Sequence, residues 1–310
     1  MILTITPNPC VDKTIYVDSL EPGTFIRAAK YSCIPGGKGV NVARAVKILG
    51  GEATAVVVVG GHTGRHAVEM IKSERIRCRP VWVESPTRTI TTVLEERIHR
   101  QTALFEPGSE IGREEYRGIV ERCSLLARRA SVVCYSGTVS HANALSLYRD
   151  LLPRAKRSGA KTILDSHGAE FALGIEKTPF MIKPNEQEAS ELLGVAIATD
   201  TERWDAVARF HDKGIELVVL SAGARGAFIS DGATRLIVRP PQIKEVNAVG
   251  SGDALVAAFA LGLDQGWSLE KMARYGAAAG AANARVWDIG RFTLEDVEEL
   301  AGAVEVRAVP

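Results

Sequence analysis

Short apolar runs alternate along the chain with longer stretches in which apolar residues recur every three or four positions. The short runs are continuous rather than alternating in polarity, as in strands covered on both faces, and they fall at 2–6, 55–59, 131–135, 162–164, 180–183 and 217–220. The amphipathic stretches predict helices at 42–49, 114–129, 143–157, 186–193 and 205–213. This alternation predicts one α/β domain over 1–310, with a doubly wound, mostly parallel central sheet and helices on both faces.

Two stretches break this rhythm, at about 11–34 and 86–106. In the first, strands are predicted at 14–17 and 25–33 around a Glu21-Pro22-Gly23 turn. In the second, β-branched residues at 89–95 and 101–105 predict a hairpin. Together they predict a small β-sheet that forms a lid over a site or pairs with a second subunit as a homodimer. The alternative is that these strands extend the central sheet.

Composition narrows the classes of partner. Lysine and arginine number 38 against 37 acidic residues, so no overall charge points to nucleic acid or a membrane surface. No apolar run approaches the roughly 20 residues that span a bilayer, and the apolar start is too short for a signal peptide. The five cysteines form no C-x-x-C pair, which suits reduced thiols in the cytoplasm. His62 and His66 are four residues apart, but without an evident third ligand they do not predict zinc.

The segment 247–253 carries the most specific chemistry. Its glycines, Gly250 and Gly252, allow a ligand to approach the backbone, and an apolar helical run follows at once. The first N–H groups of that helix lack helical acceptors and suit a phosphoryl group that gains charge. Asp253 lies in the first turn, where a carboxylate can take a proton from an attacking hydroxyl. The alternative is an ordinary capped helix with an acidic first turn.

Other phosphate and hydrolase signatures are missing. Lys38 is followed by Gly39, so no G-x-x-x-x-G-K-[ST] loop is present, and no G-x-G-x-x-G follows the first strand. Asp165, Ser166 and His167 follow a predicted strand but lack a G-x-S-x-G elbow, which favours a loop that lines a cleft over a hydrolase site.

Four elements together resemble the ribokinase-like carbohydrate kinases of the phosphofructokinase-B type, in their hexose-phosphate branch. Gly250-Ser251-Gly252-Asp253 resembles the family's G-A-G-D element, with serine in place of alanine. The glycine-rich turn at 35–44, the N-x-x-E element at 183–188 and the strand and loop at 220–227 also match, in family order over almost the whole chain.

The resemblance implies how phosphoryl transfer is performed. Asp253 is expected to be the catalytic base, and the backbone of Gly250, Ser251 and Gly252 to form the anion hole for the γ-phosphoryl group of ATP. Asn185 and Glu188 are expected to organise Mg²⁺ through water. The alternative for this pair is a helix cap, with Asn185 as N-cap and Glu188 at the third helical position.

The resemblance also divides the site into a nucleotide side and a sugar side. The nucleotide side is expected to involve Lys183, Asn185, Ser221, Gly223, Gly226 and Asn283. On the sugar side, Asp12 is expected to accept hydrogen bonds from sugar hydroxyls, with contacts from Gly37 and Asn41. Lys38 and Arg88 suit a phosphate already on the sugar, and Arg27 is a further candidate from the lid.

The expected activity is ATP-dependent phosphorylation of a phosphorylated ketohexose. Fructose 1-phosphate, which would give fructose 1,6-bisphosphate, is the first choice because the opening around 12–17 matches kinases with that substrate. Tagatose 6-phosphate and fructose 6-phosphate are alternatives. An unphosphorylated sugar or a nucleoside is the next hypothesis. From other classes, a catalytically inert relative and a dehydrogenase are disfavoured by the intact Asp253 and by the missing dinucleotide motif.

Overall fold

The computed structural model describes residues 1–28, 30–98 and 100–309. The strands within these residues are β1 (Ile2–Thr6), β2 (Cys10–Val17), β3 (Lys30–Gly36), β4 (Ala53–Gly60), β5 (Arg77–Val83), β6 (Arg88–Glu95), β7 (Arg100–Phe105), β8 (Val132–Ser136), β9 (Lys161–Asp165), β10 (Met181–Ile182), β11 (Leu217–Ser221), β12 (Ala227–Ser230), β13 (Arg235–Arg239) and β14 (Glu305–Val309). The α-helices are α1 (Lys38–Ile48), α2 (Gly61–Ser73), α3 (Arg113–Ala127), α4 (Leu147–Arg157), α5 (Gly168–Ile175), α6 (Glu186–Leu193), α7 (Asp200–Asp212), α8 (Ser251–Gln265), α9 (Leu269–Ala284) and α10 (Leu294–Ala301). Short 3-10 helices lie at Ala142–Ala144 and Gly223–Arg225.

The large sheet has ten strands in the order β14-β13-β12-β11-β10-β9-β8-β1-β4-β5. From β11 to β5 every neighbouring pair is parallel, whereas β12, β13 and β14 are added antiparallel at one edge. The parallel strands β1, β4 and β8 are buried at every residue, because helices cover both of their faces. The predicted doubly wound sheet is therefore confirmed.

Two apolar cores lie on opposite faces of this sheet. One combines side chains from α1, α2, α8, α9 and α10 with the strand residues that point toward them. The other combines side chains from α3, α4, α5, α6 and α7 with the alternate strand residues. The alternation within β4 illustrates this division, since Val57 belongs to the first core and Val56 to the second.

The small sheet is separate from the large one and has the order β3-β2-β6-β7. The prediction of a small separate sheet, called the lid here, is thus confirmed, and the alternative that these strands extend the central sheet is wrong. The predicted strand at 25–33 is corrected: residues 25–28 have no regular structure, residue 29 lies outside the described residues, and β3 begins at Lys30. The reason is register, since Tyr16 near the end of β2 pairs with Lys30 and the pairing then runs to Cys10 and Gly36.

The lid joins the large domain at the carboxyl end of β1, where the backbone is tightly packed. Gly37, the residue before α1, has φ 112°, and a Cβ atom there would lie 2.7 Å from Thr6 Cγ2 and 3.0 Å from Pro9 Cα. Only glycine combines this left-handed conformation with so close an approach. The glycine-rich turn therefore brings the start of α1 against the carboxyl end of β1, the edge at which parallel α/β sheets bind ligands.

Candidate active site

The first turn of α8 forms the centre of the site. Gly250 precedes the helix with φ 85°, and a Cβ atom there would lie 2.4 Å from Ile289 Cγ2. The Ser251 N–H donates back to the Ala248 carbonyl oxygen at 3.2 Å. Among the described residues no backbone acceptor contacts the N–H groups of Gly252 and Asp253, so these two are the available donors.

The buried Asn283 side chain holds this turn through hydrogen bonds. Its amide nitrogen donates to the Val249 carbonyl oxygen at 2.8 Å and to Ser251 Oγ at 3.4 Å. Its amide oxygen accepts from the Gly290 N–H at 2.9 Å. Asn283 is almost completely buried, so the structure places it behind the turn, where it fixes the loop rather than lining an open surface.

Asp253 is a buried carboxylate at the end of this turn. Its Oδ2 accepts a 2.8 Å hydrogen bond from the Asn41 side-chain nitrogen. Burial raises the pKa of the Asp253 carboxyl to about 6, although the Lys38 ammonium and the Asn41 hydrogen bond act in the opposite direction. A carboxyl group with a pKa near 6 is mostly ionised at neutral pH and still basic enough to accept a proton.

Lys38 and Lys183 share a second buried carboxylate, Asp165, at the end of β9. Asp165 Oδ1 lies 3.3 Å from Lys38 Nζ and 3.2 Å from Lys183 Nζ, and Asp165 has no exposed surface. Burial opposes its ionisation, but Lys183 and Lys38 together hold the pKa of the Asp165 carboxyl below its ordinary value. Burial would lower the pKa of Lys38, yet Asp165, Asp253 and Glu188 hold it above its usual range.

Lys183 also lies beside the first turn of α8. A Cβ atom on Gly252 would be 3.2 Å from Lys183 Nζ, so the ammonium group lies close to the backbone of this turn. Two ammonium groups and the two available N–H donors therefore meet at one place. Such a cluster can hold a group that carries several negative charges.

Asn185 and Glu188 form a helix cap. Asn185 Oδ1 accepts from the Glu188 N–H at 2.8 Å, and Glu188 Oε2 accepts from the Asn185 N–H at 2.8 Å. The capping alternative drawn from their spacing therefore describes how these side chains are held. Glu188 also lies near enough to raise the pKa of Lys38. In the described residues no group of three or more metal-ligating side chains is assembled, so a metal ion here would depend on Glu188, water and phosphate oxygens.

The segment after β11 lies beside this cap. Ser221 forms a bridge with Asn185, and its hydroxyl donates to the Pro184 carbonyl oxygen at 3.3 Å. Gly223 is exposed, with φ 58° and open space where a side chain would be. Gly226 is different, because a Cβ atom there would lie 1.8 Å from the Val238 carbonyl oxygen. Gly223 thus borders open space, whereas Gly226 is required by the packing of β12 on β13.

The lid side of the site brings Asp12 and Arg88 together. These residues lie on paired lid strands, with Cys10 opposite Arg88 and Asp12 opposite Ile90. Burial and the Asp288 carboxylate raise the pKa of Asp12, while Arg44 and Arg88 lower it. Arg88 donates through Nη2 to the Asn8 carbonyl oxygen at 3.4 Å, and among the described residues its buried Nε has no acceptor.

Comparison with known proteins agrees with this geometry. The family profile described as pfkB family carbohydrate kinase matches residues 6–287. The chain belongs to the pfkB family of carbohydrate kinases. It is therefore a phosphotransferase that acts on a sugar alcohol group, and the resemblance drawn from the four sequence elements is confirmed.

Individual relatives in this pfkB family match over nearly the full chain. A 1-phosphofructokinase from Xanthomonas campestris pv. campestris is 32% identical over 99% of this chain and 98% of the relative. A tagatose-6-phosphate kinase from Staphylococcus epidermidis is 32% identical over 99% of each chain. The crystal structure of phosphofructokinase-2 from Escherichia coli in complex with substrates and products has a TM-score of 0.90 and 29% identity, over 97% of this chain and 98% of that one.

Within this pfkB kinase, the two cations predicted to bind a phosphate on the sugar have different neighbours. Lys38 contacts Asp165, whereas Arg88 lies beside Asp12. Asp165, interpreted only as a residue lining a cleft, is the counterion of two lysines. Its signal in the sequence is an aspartate that directly follows a buried strand, which gives no indication of its partners.

Arg27 contacts none of these site residues. It is exposed, in the connection between β2 and β3, and with Asp18 and Glu21 it lines a cleft of about 330 Å³ in the lid. His62 and His66 lie on α2, and the described residues assemble no metal-ligating group there. Over the same described ranges, no helix combines the length and apolar character needed to cross a membrane.

Proposed function

We propose that this kinase transfers the γ-phosphoryl group of ATP to a hydroxyl group of a phosphorylated ketohexose, with fructose 1-phosphate as the first choice. The observation that carries the proposal is Asp253, a buried carboxylate in the first turn of α8 with a pKa of about 6. Asp253 would take the proton of an attacking hydroxyl while the adjacent N–H groups donate to the transferred group.

The transferred group would lie between the α8 turn and the two lysines. The N–H groups of Gly252 and Asp253 would donate to its oxygens, and Lys38 and Lys183 would balance its charge. Asp165 neutralises part of the lysine charge before ATP binds, which keeps two ammonium groups together in a buried place. We therefore assign Lys38 to the transferred phosphoryl group rather than to a phosphate already on the sugar.

Glu188 is proposed to organise Mg²⁺ through water, with Asn185 holding its carboxylate in place through the helix cap. The ion would neutralise charge on the phosphates of the nucleotide. Ser221 and Gly223 are proposed to border those phosphates, since they lie at the end of β11 beside this cap. Gly226 and Asn283 are proposed to shape the site through packing of the backbone, because both are occupied by contacts within the protein.

Arg88 is proposed to bind the phosphate already present on the sugar. Its buried Nε has no acceptor among the described residues, and a phosphate oxygen would supply one. Asp12 and Asn41, with the backbone at Gly37, are proposed to bind sugar hydroxyls. Arg27 remains a weaker proposal, from this chain or from a neighbouring copy.

The position of the existing phosphate has two close alternatives. The relatives named for 1-phosphofructokinase and tagatose-6-phosphate kinase activity are equally similar to this chain at 32% identity, so similarity does not rank these substrates. Tagatose 6-phosphate and fructose 6-phosphate are therefore the second candidates. An unphosphorylated sugar or nucleoside is the third, and it would leave Arg88 without a function in binding.

The lid is also proposed to form a homodimer through its outer face. All six residues of β7 are exposed, and the Leu104 side chain, exposed over 62% of its surface, lies by strand register on the face opposite to that of Asp12. Tyr31 on β3 is exposed over 68%. A sheet face with such large apolar side chains is stabilised when a second copy covers it.

A substrate panel tests the proposed activity. ADP release would be measured with fructose 1-phosphate, tagatose 6-phosphate, fructose 6-phosphate, fructose, ribose and adenosine, each with ATP and Mg²⁺. We expect a phosphorylated ketohexose to give the highest kcat/KM, and Asp253→Asn to lower kcat by about 10²–10⁴-fold while the thermal unfolding curve remains cooperative. A preference for an unphosphorylated acceptor, or near-normal kcat in Asp253→Asn, would reject the assignment.

A further inference from the structure

An arginine lies inside the buried part of α1. Arg44 is only 6% exposed, and the residues on either side of it, Ala43 and Ala45, belong to the apolar core. A buried guanidinium group needs acceptors for its N–H groups, and it is retained in an apolar helix only where these are supplied. Its contacts therefore indicate what it does there.

Three partners occupy the guanidinium group of Arg44. Nε donates to Glu74 Oε2 at 2.7 Å, and Nη2 donates to Glu74 Oε1 at 3.3 Å and to the Pro35 carbonyl oxygen at 2.7 Å. Nη1 donates to Asn41 Oδ1 at 2.9 Å. The alkyl part of the side chain is confined as well, since a Cβ atom on Gly290 would lie 2.4 Å from Arg44 Cδ.

The contact with Asn41 determines which way its amide faces. Arginine only donates hydrogen bonds, so the amide group must turn its oxygen toward Arg44 and its nitrogen away. That nitrogen is the group that donates to Asp253 Oδ2 at 2.8 Å. A rotated amide would bring its own N–H groups against the guanidinium group and its oxygen against the Asp253 carboxylate, and both contacts are repulsive.

We propose that Arg44 is a positioning residue for phosphoryl transfer: held by Glu74, it fixes the Asn41 amide as a hydrogen-bond donor to Asp253. The inference rests on the proposed role of Asp253 as the base. Arg44 touches neither the reacting groups nor Asp253, so its effect passes through Asn41. Pro35 adds a second link, since Arg44 also holds the end of lid strand β3 where it enters the glycine-rich turn.

The chemical consequence concerns the protonated form of Asp253. A free amide could rotate when Asp253 takes up a proton and accept a hydrogen bond from the new O–H group, which would stabilise the protonated acid. Arg44 prevents this rotation and so favours the ionised carboxylate. The other charged groups that face Asp253 are Lys38 from α1, Asp165 from the end of β9 and Lys183 after β10, and these remain in place when Arg44 is changed.

The test compares the pH dependence of turnover in Arg44→Met, Arg44→Lys and Glu74→Gln with that of the wild type. In Arg44→Met the Asn41 amide would no longer be held as a hydrogen-bond donor to Asp253. The pH at which kcat is half-maximal on the acid side is therefore expected to rise by about 0.5–1 unit. The deficit relative to the wild type would then be about 3–10-fold larger at pH 5.5 than at pH 8.5. Arg44→Lys, which keeps one donor for Asn41, and Glu74→Gln, which loosens Arg44, are expected to shift less.

Arg274→Met is the matched control for loss of an arginine that supports the fold. Arg274 joins α9 to the end of α10 through the carbonyl oxygens of Ala301 and Val304. Its loss is expected to lower the unfolding temperature and to leave the acid side of the pH profile of kcat (the acid limb) unchanged. If Arg44→Met does not fold, the two milder variants carry the same test.

Titration of the Asp253 carboxyl carbon by ¹³C NMR, assigned by comparison with Asp253→Asn, separates this inference from the proposed function. It needs no turnover, so an upward shift of the Asp253 titration in the Arg44 and Glu74 variants would support the positioning role even with an unidentified substrate. Titration curves and acid limbs that coincide with the wild type within about 0.2 units would overturn it.

Discussion

Changing Asp165 to asparagine removes one negative charge and almost no volume. Asp165 Oδ1 is the shared partner of Lys38 and Lys183, and Lys183 is almost completely buried. The amide of asparagine is neutral, so two neighbouring ammonium groups would lose their counterion and repel each other. We expect Asp165→Asn to destabilise the fold and to alter the electrostatics of Asp253 at the same time.

The magnitude follows from the burial of the three groups. Removal of one partner from a buried ion pair costs about 3–5 kcal/mol. Lys38 keeps 32% of its side chain exposed and can be rehydrated, so the expected loss lies near the lower end, about 3 kcal/mol. With about 2.1 cal/mol/K of unfolding entropy per residue over 310 residues, this corresponds to a fall in Tm of about 5 °C.

Differential scanning calorimetry at pH 7 measures this loss. Asp205→Asn, at an exposed position on α7, is the matched control and is expected to change stability by less than about 0.5 kcal/mol. Because Asp165 has a lowered pKa in the folded state, its stabilisation is present above its unfolded pKa and is lost as the pH falls through the folded value. The difference between wild type and variant should therefore shrink toward pH 3.

Kinetics supply the second measurement on Asp165→Asn. The Asp165 carboxylate raises the pKa of Asp253, so its removal should lower that pKa and move the acid limb of kcat to lower pH. This direction is opposite to the one expected for Arg44→Met. A Tm within about 1.5 °C of the wild type, together with an unmoved acid limb, would refute the view that Asp165 is an ionised counterion.

Three further predictions concern other parts of the molecule. Arg88→Met should raise KM for the phosphorylated sugar by about 10–100-fold with little change in KM for ATP, measured by steady-state kinetics; an unchanged KM for every phosphorylated substrate would show that Arg88 binds no phosphate. Gly250→Ala should cost about 1–2 kcal/mol in denaturant unfolding and lower kcat, because φ is 85° and the new methyl group would overlap Ile289; full activity would contradict the proposed anion hole. Leu104→Glu should shift sedimentation from dimer to monomer if the lid faces pair, and an unchanged dimer would place the interface elsewhere.

Much of the fold could be predicted from local pattern. The six apolar runs correspond to strands of the large sheet, because strands buried on both faces leave a continuous apolar signature. The prediction of the lid strands was less exact, since Phe25 and Ile26 are as apolar as strand residues yet lie beyond the part of the chain that pairs with β2. The residues at which a strand begins and ends depend on the strand that pairs with it, and that strand can be distant in the sequence.

In the candidate site, too, local features could be predicted from the sequence and long-range contacts could not. The turn at 250–253 and the cap formed by Asn185 and Glu188 are local, so spacing alone indicated both. The pairing of Asp165 with two lysines and that of Arg44 with Glu74 could not be predicted, because these partners lie 18 to 127 positions away in the sequence. A charged residue within an apolar run, as at Arg44, was the available signal, and it indicates a buried partner without identifying it.

The position of β1 as an interior strand of the large sheet has a consequence for biosynthesis. Its two neighbours, β4 and β8, come from residues around 53–60 and 132–136, so β1 cannot be paired on both edges until residues 132–136 have been synthesised. Until then one edge of a strand that is fully buried in the folded protein is open to wrong pairing or to a chaperone. Nascent chains of increasing length should become resistant to protease in the β1 region only after β8 has emerged.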